Sequence, residues 1–286
     1  MSFTKFINCN LKMNFQRVVG PVFAKIFSNS YLITQFARMV VQIYDNDQNS
    51  DIRKNGELKL LTHLVTISNN HSQFVDVGAN VGDYSTELVK AGLIGKLCLV
   101  DPLKRNLLTA QQRLVDLNFY EFELMQFALS DSTGKQIFYT NLDNELSGHD
   151  SLYDMRSIGY SENVEPTEVD VKRLDDVMFS SEIHFLKIDV EGNELNVLKG
   201  AENLLARGAI SFIQFEFGNA AKAARIYLHD IVFFLESKQY KIYIIKPKGL
   251  VPLVFTPFTE MRYSYINFVA VHANSVRFIS NIIISS

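Results

Sequence analysis

Phe74-Val75-Asp76-Val77-Gly78-Ala79-Asn80-Val81-Gly82-Asp83 is a short β-branched and aromatic run that ends on small residues, and Tyr84 to Ala91 behind it has helical character. That order is strand, tight turn, helix. The next apolar run, Lys96 to Val100, leads into Asp101, 23 residues after Gly78. Small residues at a strand-to-helix turn let a ligand approach the backbone and the helix N-terminus. A carboxylate at the end of the second strand can accept hydrogen bonds from both hydroxyls of a ribose, so the pair points to a nucleoside-containing ligand.

The turn narrows the choice of nucleoside. Its glycines are spaced G-x-x-x-G, not the G-x-G-x-x-G that cradles a pyrophosphate, and Asp76 stands two residues before Gly78. A carboxylate there repels phosphate and attracts a cation. S-adenosylmethionine carries a sulfonium and an ammonium and no phosphate, which suits Asp76. A dinucleotide-dependent oxidoreductase and a non-catalytic nucleoside-binding module are the alternatives.

Outward from this unit the alternation continues: a helix at Lys104 to Leu117, a strand at Phe122 to Ala128, a strand at His184 to Val190, a helix at Glu194 to Ala206, a strand at Ala209 to Phe217 and a helix at Ala221 to Lys238. Strands alternating with helices build an α/β fold with a parallel sheet. Lys241 to Ile245 and Ile266 to Val271 read as an antiparallel pair at its edge. Asn141 to Glu168, which holds His149, Asp150, Ser151, Arg156 and Pro166, reads as a long irregular loop of the functional or mobile kind.

A second group of charges lies in Phe185-Leu186-Lys187-Ile188-Asp189-Val190-Glu191-Gly192-Asn193-Glu194. Strand alternation puts Lys187, Asp189 and Glu191 on one face. Three charges at the carboxyl end of a central strand are costly unless paired or working, and that end is where α/β sheets place their ligands. They either anchor the strand as a Lys187–carboxylate pair or serve chemistry. Gln214-Phe215-Glu216 repeats the pattern, so Glu216 either faces the same crevice or buttresses its neighbour. The six histidines share no common spacing, which speaks against a histidine metal site; His149, in the long loop beside Asp150 and Ser151, is either a site residue next in line as the base or an incidental exposed one.

At these residues the chain resembles the FkbM family of S-adenosylmethionine-dependent methyltransferases. Phe74 to Ser85 resembles its cofactor motif, Leu99 to Leu107 its ribose-binding strand end, Ala128 to Tyr139 its third-strand turn, and Leu186 to Leu205 with Phe212 to Gly218 its most distinctive run. Asp101-Pro102 stands where the family usually has Glu-Pro, and Asn193 where a large apolar residue is common. The resemblance implies a Rossmann-like class I sheet of seven mostly parallel strands with an antiparallel C-terminal edge strand, expected over residues 56–286; residues 1–55 lie outside the resemblance and are expected to form a helical N-terminal extension. It implies cofactor contacts at Asp76, Gly78, Asn80, Gly82, Tyr84, Ser85, Asp101, Ala128 and Leu129, catalytic roles for Lys187, Asp189, Glu191 and Glu216, and methyl transfer to a hydroxyl of a sugar, glycolipid or secondary-metabolite-like small molecule. Such a transfer needs donor and acceptor in line and a deprotonated hydroxyl, and a carboxylate at Asp189 or Glu191 can serve both needs.

Composition agrees with an ordinary globular enzyme. Of 286 residues 47% are hydrophobic and 21% charged, which excludes disorder and disulfide-stapled miniproteins. A net charge of −3 without blocks of like charge disfavours a nucleic-acid partner. Cys9 and Cys98 form no ligand spacing and are expected to be reduced thiols in the cytoplasm. Lys5, Asn8, Asn10 and Lys12 interrupt any signal-peptide core, and Lys25 and Arg38 break Val18 to Tyr44 short of a membrane span. That stretch reads as a docked or interfacial helix, with weak membrane-surface association left open.

Overall fold

Phe74, Phe185 and Phe212 stand side by side across three parallel strands, all fully buried. The computed structural model that places them describes residues 21, 30–47, 49–142, 149–159, 162–178, 181–255 and 265–284. The chain divides into two units, Met1–Asp47 and Gln48–Ser286. In the first, the helix Tyr31–Asp45 starts at Ser30, whose hydroxyl accepts from the Ile33 N–H, and ends on Asn46 in the left-handed conformation.

The second unit holds strands β1 (Gln73–Val77), β2 (Lys96–Val100), β3 (Phe122–Met125), β4 (Ala128–Leu129), β5 (Gly134–Asn141), β6 (Val164–Lys172), β7 (Ile183–Ile188), β8 (Ile210–Phe217), β9 (Tyr240–Lys246), β10 (Gly249–Pro252) and β11 (Ile266–His272). Eight of them form one sheet in the order β10-β9-β11-β8-β7-β1-β2-β3, and β4-β6-β5 form a small second one. The strands β3, β2, β1, β7 and β8 pair in parallel, as helical crossovers such as Asp83–Lys90 and Lys104–Asp116 require. Alternation sorts the core: Val75, Val77, Leu186 and Ile188 pack on one face, Phe74, Phe185 and Phe212 on the other.

Three expectations change in detail. The antiparallel strand β11 lies inside the sheet, between β8 and β9. Its run Phe268 to Val271 is buried on both faces, which suits an interior strand, while Pro252 suits β10 at the true edge. Val164 to Glu168, the end of the expected loop, belongs to the strand β6, paired antiparallel to β5. Its Glu165, Pro166, Thr167 and Glu168 are exposed, so no apolar alternation announces it. Residues 143–148 and 160–161 of the expected loop lie outside the described residues. The expected helix Glu194 to Ala206 breaks at Ala201, just after Gly200, whose absent Cβ leaves room for the Ser130 carbonyl.

Candidate active site

The face that is aromatic in mid-sheet turns polar towards the carboxyl ends of the strands. Two residues beyond the phenylalanine row, Asp76, Lys187 and Gln214 are aligned across β1, β7 and β8. Asp76 is 1% exposed; its Oδ2 accepts from the Ser85 hydroxyl at 2.7 Å and its Oδ1 has no partner. The Lys187 ammonium donates to Asp189 Oδ2 at 2.7 Å and lies 4.9 Å from the centre of the Tyr84 ring. Burial pulls the Lys187 pKa down, but Asp189 and Asp76 outweigh it and hold the ammonium above the ordinary lysine range. Gln214 accepts from the Tyr84 hydroxyl and donates to Glu57, a buried carboxylate in the first turn of the helix Glu57–Thr66. Burial raises the pKa values of Asp76 and Glu57.

Two residues further on, the chain leaves β7 at Asp189. Gly78 has φ +76, and a Cβ there would meet the Asp189 carbonyl at 1.8 Å, so glycine is what lets the two turns touch. Glu191 reaches Asp189 through a turn and not by strand alternation: β7 ends at Ile188, and Glu191 and Gly192 have φ of +50 and +102. Glu194 holds that turn. Its buried Oε1 accepts from the N–H groups of Val190 at 3.3 Å and Gly192 at 3.1 Å. Burial pushes the Glu194 pKa up to about 8. Asn193 is tied down as well, since its amide donates to the Leu129 carbonyl at 2.9 Å, a bond that a large apolar residue at this position cannot make.

Oxygens of Asp189, Glu191 and Glu216 come within 4.8 Å of one another. That spacing also suits a divalent cation, although each carboxylate already has a partner: Lys187 on Asp189, His149 on Glu191 and the Tyr265 hydroxyl on Glu216. Burial raises the Glu191 pKa, and burial with the fields of Asp189 and Glu191 holds Glu216 well above the usual carboxylate range.

On the β2 side Asp101 is 6% exposed. Its Oδ2 accepts from the Asn80 N–H at 3.0 Å, and its Oδ1 from the Leu103 N–H at 2.8 Å and the Asn106 amide at 3.2 Å. Burial pushes its pKa up to about 6. These bonds fill three of its roughly four acceptor positions. Asn106 Oδ1 is buried without a partner.

A cavity of about 370 Å³ brings together Gly78, Asn80, Asp101, Ala128, Leu129, Asp189, Glu191 and Glu216. A second hollow of about 530 Å³ takes in Asp76, Tyr84 and Lys187 and shares Gly78, Asn80, Asp189, Glu216 and Tyr265 with the first. Gly82 and Ser85 line neither. A Cβ on Gly82 would meet Ala110 Cβ at 2.7 Å, so this glycine lets two helices approach, and Ser85 acts on Asp76 from behind. Sequence reasoning passed over Asn106, Tyr265 and Glu57. Only Asn106 left a signal, five residues after Asp101 in the following helix.

This is a Rossmann-like α/β sheet with a nucleoside-sized cavity at the carboxyl ends of β1, β2 and β7. The family model for the methyltransferase FkbM domain matches residues 76–242, more than half of the chain, and the chain belongs to that family, whose methyl donor is S-adenosylmethionine. No curated protein matches the chain. Among solved structures it is similar to an rRNA methylase from Streptococcus thermophilus (14% identity, TM-score 0.41, covering 77% of this chain and 97% of that one). It is also similar to a TehB-like SAM-dependent methyltransferase from Corynebacterium glutamicum (13%, 0.41, 84% and 97%) and a SAM-dependent O-methyltransferase from Thermotoga maritima (11%, 0.39, 76% and 65%). The walls fit S-adenosylmethionine at two points: the unpaired Asp76 Oδ1 calls for a cationic amine, and the unpaired Asn106 Oδ1 beside Asp101 for a hydroxyl or amine donor.

Proposed function

We propose that the protein is a cytoplasmic O-methyltransferase that methylates a hydroxyl of a sugar, a glycolipid or a similar small metabolite. The observation that carries this reading is the meeting of Asp189, Glu191 and Glu216 on the wall of the first hollow, where Asp189 and Glu216 also line the second. Bound S-adenosylmethionine supplies a methyl group on a sulfonium, open to in-line attack. Asp76 would hold its ammonium, Asp101, Asn106 and the Asn80 backbone its ribose, and Ala128 and Leu129 its base. Asp189, oriented by the Lys187 ammonium, would face the methyl donor. Glu191 takes the proton of the acceptor hydroxyl, and burial makes it more basic than a solvated carboxylate. Glu216, bonded to Tyr265, holds the acceptor.

Seven acidic residues line the second hollow against Arg53, Lys90 and Lys187, a wall that disfavours a phosphodiester backbone and supports a small acceptor. The free, buried thiol of Cys98 fits a reducing compartment. The test is incubation with S-adenosylmethionine and, separately, sugars, glycolipids, rRNA and a protein extract. A mass gain of one methylene on a small hydroxyl acceptor is expected; methylation confined to RNA or protein refutes the reading.

A further inference from the structure

Charge is divided unevenly along this chain. Residues 1–44 carry Lys5, Lys12, Arg17, Lys25 and Arg38 and no Asp or Glu, whereas the rest carries 23 Lys and Arg against 31 Asp and Glu. The net charge of −3 is therefore +5 followed by −8.

The helix Tyr31–Asp45 closes the cationic segment. At about 100° per residue, Thr34, Gln35, Arg38 and Gln42 share one side, and Leu32, Ile33, Phe36, Met39, Val40 and Ile43 spread over about 120° of the opposite one, roughly a third of the circumference. All six of these apolar side chains are exposed, Leu32 at 79% and Ile43 at 73%. The helix is about 22 Å long, against a hydrocarbon core of about 30 Å, and among the described residues no helix is long and apolar enough to cross a membrane.

We propose that residues 1–44 dock the protein on the surface of an anionic phospholipid bilayer, with the helix Tyr31–Asp45 lying in the plane of the interface. An apolar arc opposite a polar one is the shape that seats at the boundary between headgroups and acyl chains. Five cations without a single acid are drawn to anionic headgroups, while the acidic remainder of the chain is repelled by them. Self-association through this segment would set +5 against +5. The inference concerns binding and does not depend on the identity of the methyl acceptor.

The test is co-sedimentation of the full chain with vesicles of phosphatidylcholine alone and of phosphatidylcholine with one-quarter phosphatidylglycerol. Binding to the anionic vesicles is expected to be about tenfold tighter or more, and to fall by a similar factor between about 0.1 and 0.5 M salt. The triple variant L32D/F36D/I43D should lose binding to both vesicle types. The variant K5Q/K12Q/R17Q/K25Q should lose the anionic preference, and both should keep the parent's melting temperature. Equal binding to the two vesicle types, or none to either, overturns the proposal. So does a dimer in light scattering that L32D/F36D/I43D converts to a monomer without any change in sedimentation.

Discussion

His149 Nδ1 lies 3.4 Å from Glu191 Oε1, so the segment between β5 and β6 meets the turn after β7 at an ion pair. The bond to Glu191 raises the His149 pKa, and the same bond opposes the burial that raises Glu191. Removing the imidazole therefore leaves Glu191 protonated up to a higher pH. His149→Ala is expected to shift the acid limb of the pH–rate profile upward and to lower turnover along that limb, with cofactor-product binding unchanged. A profile that does not move would separate His149 from the chemistry.

Asp101 sets a second pH dependence. With its pKa pushed up to about 6, the carboxyl is an acceptor above that pH and protonated below it. A ribose hydroxyl needs the acceptor, so calorimetric affinity for S-adenosylhomocysteine should weaken by up to about tenfold per pH unit on acidification below 6. Asp101→Asn should bind more weakly at pH 7.5 and lose this slope. An affinity of the parent that stays flat from pH 7 to 5 would remove Asp101 from the ribose.

Glu194 affects folding in the opposite direction from a salt-bridged carboxylate. Its pKa is about 8 in the folded protein against an ordinary 4.5, so the folded state binds the proton more tightly. The stability it contributes is fully present below about pH 4.5 and is lost as pH rises towards 8. Glu194→Gln keeps an oxygen for the Val190 and Gly192 N–H groups but cannot ionise. Thermal melts from pH 5 to 9 should show a smaller alkaline loss in this variant than in the parent, while Glu194→Ala should melt lower throughout.

Local pattern was enough to locate much of this site. The turn at Gly78, the carboxylates Asp76 and Asp101, and the charged end of the strand through Lys187 were legible because strand ends are marked by short apolar runs beside small and acidic residues. Glu191 was found for a different reason than the one that places it: alternation suggested a shared strand face, but a left-handed turn held by Glu194 carries it to Asp189. Strand β6 was hidden because its exposed Glu165 to Glu168 pair only through the backbone. Tyr265 was hidden because it reaches the cluster from a distant segment, and nothing within the segment of His149 encodes its meeting with Glu191. Gly82 reads like a ligand glycine in sequence, yet its neighbour is Ala110.

Whether Asp189 and Glu191 work or merely anchor decides the account. The measurement is turnover of Asp189→Asn and Glu191→Gln beside their melting temperatures and their binding of S-adenosylhomocysteine. Lys187 remains aligned with Asp76 in either variant, so neither should unfold the protein. The expected result is a loss of about 10² to 10⁴ in turnover with melting within a few degrees of the parent and product binding retained. Near-normal turnover in both variants would contradict the account, as would a loss of stability of about 3 to 5 kcal/mol, the cost of a broken buried ion pair.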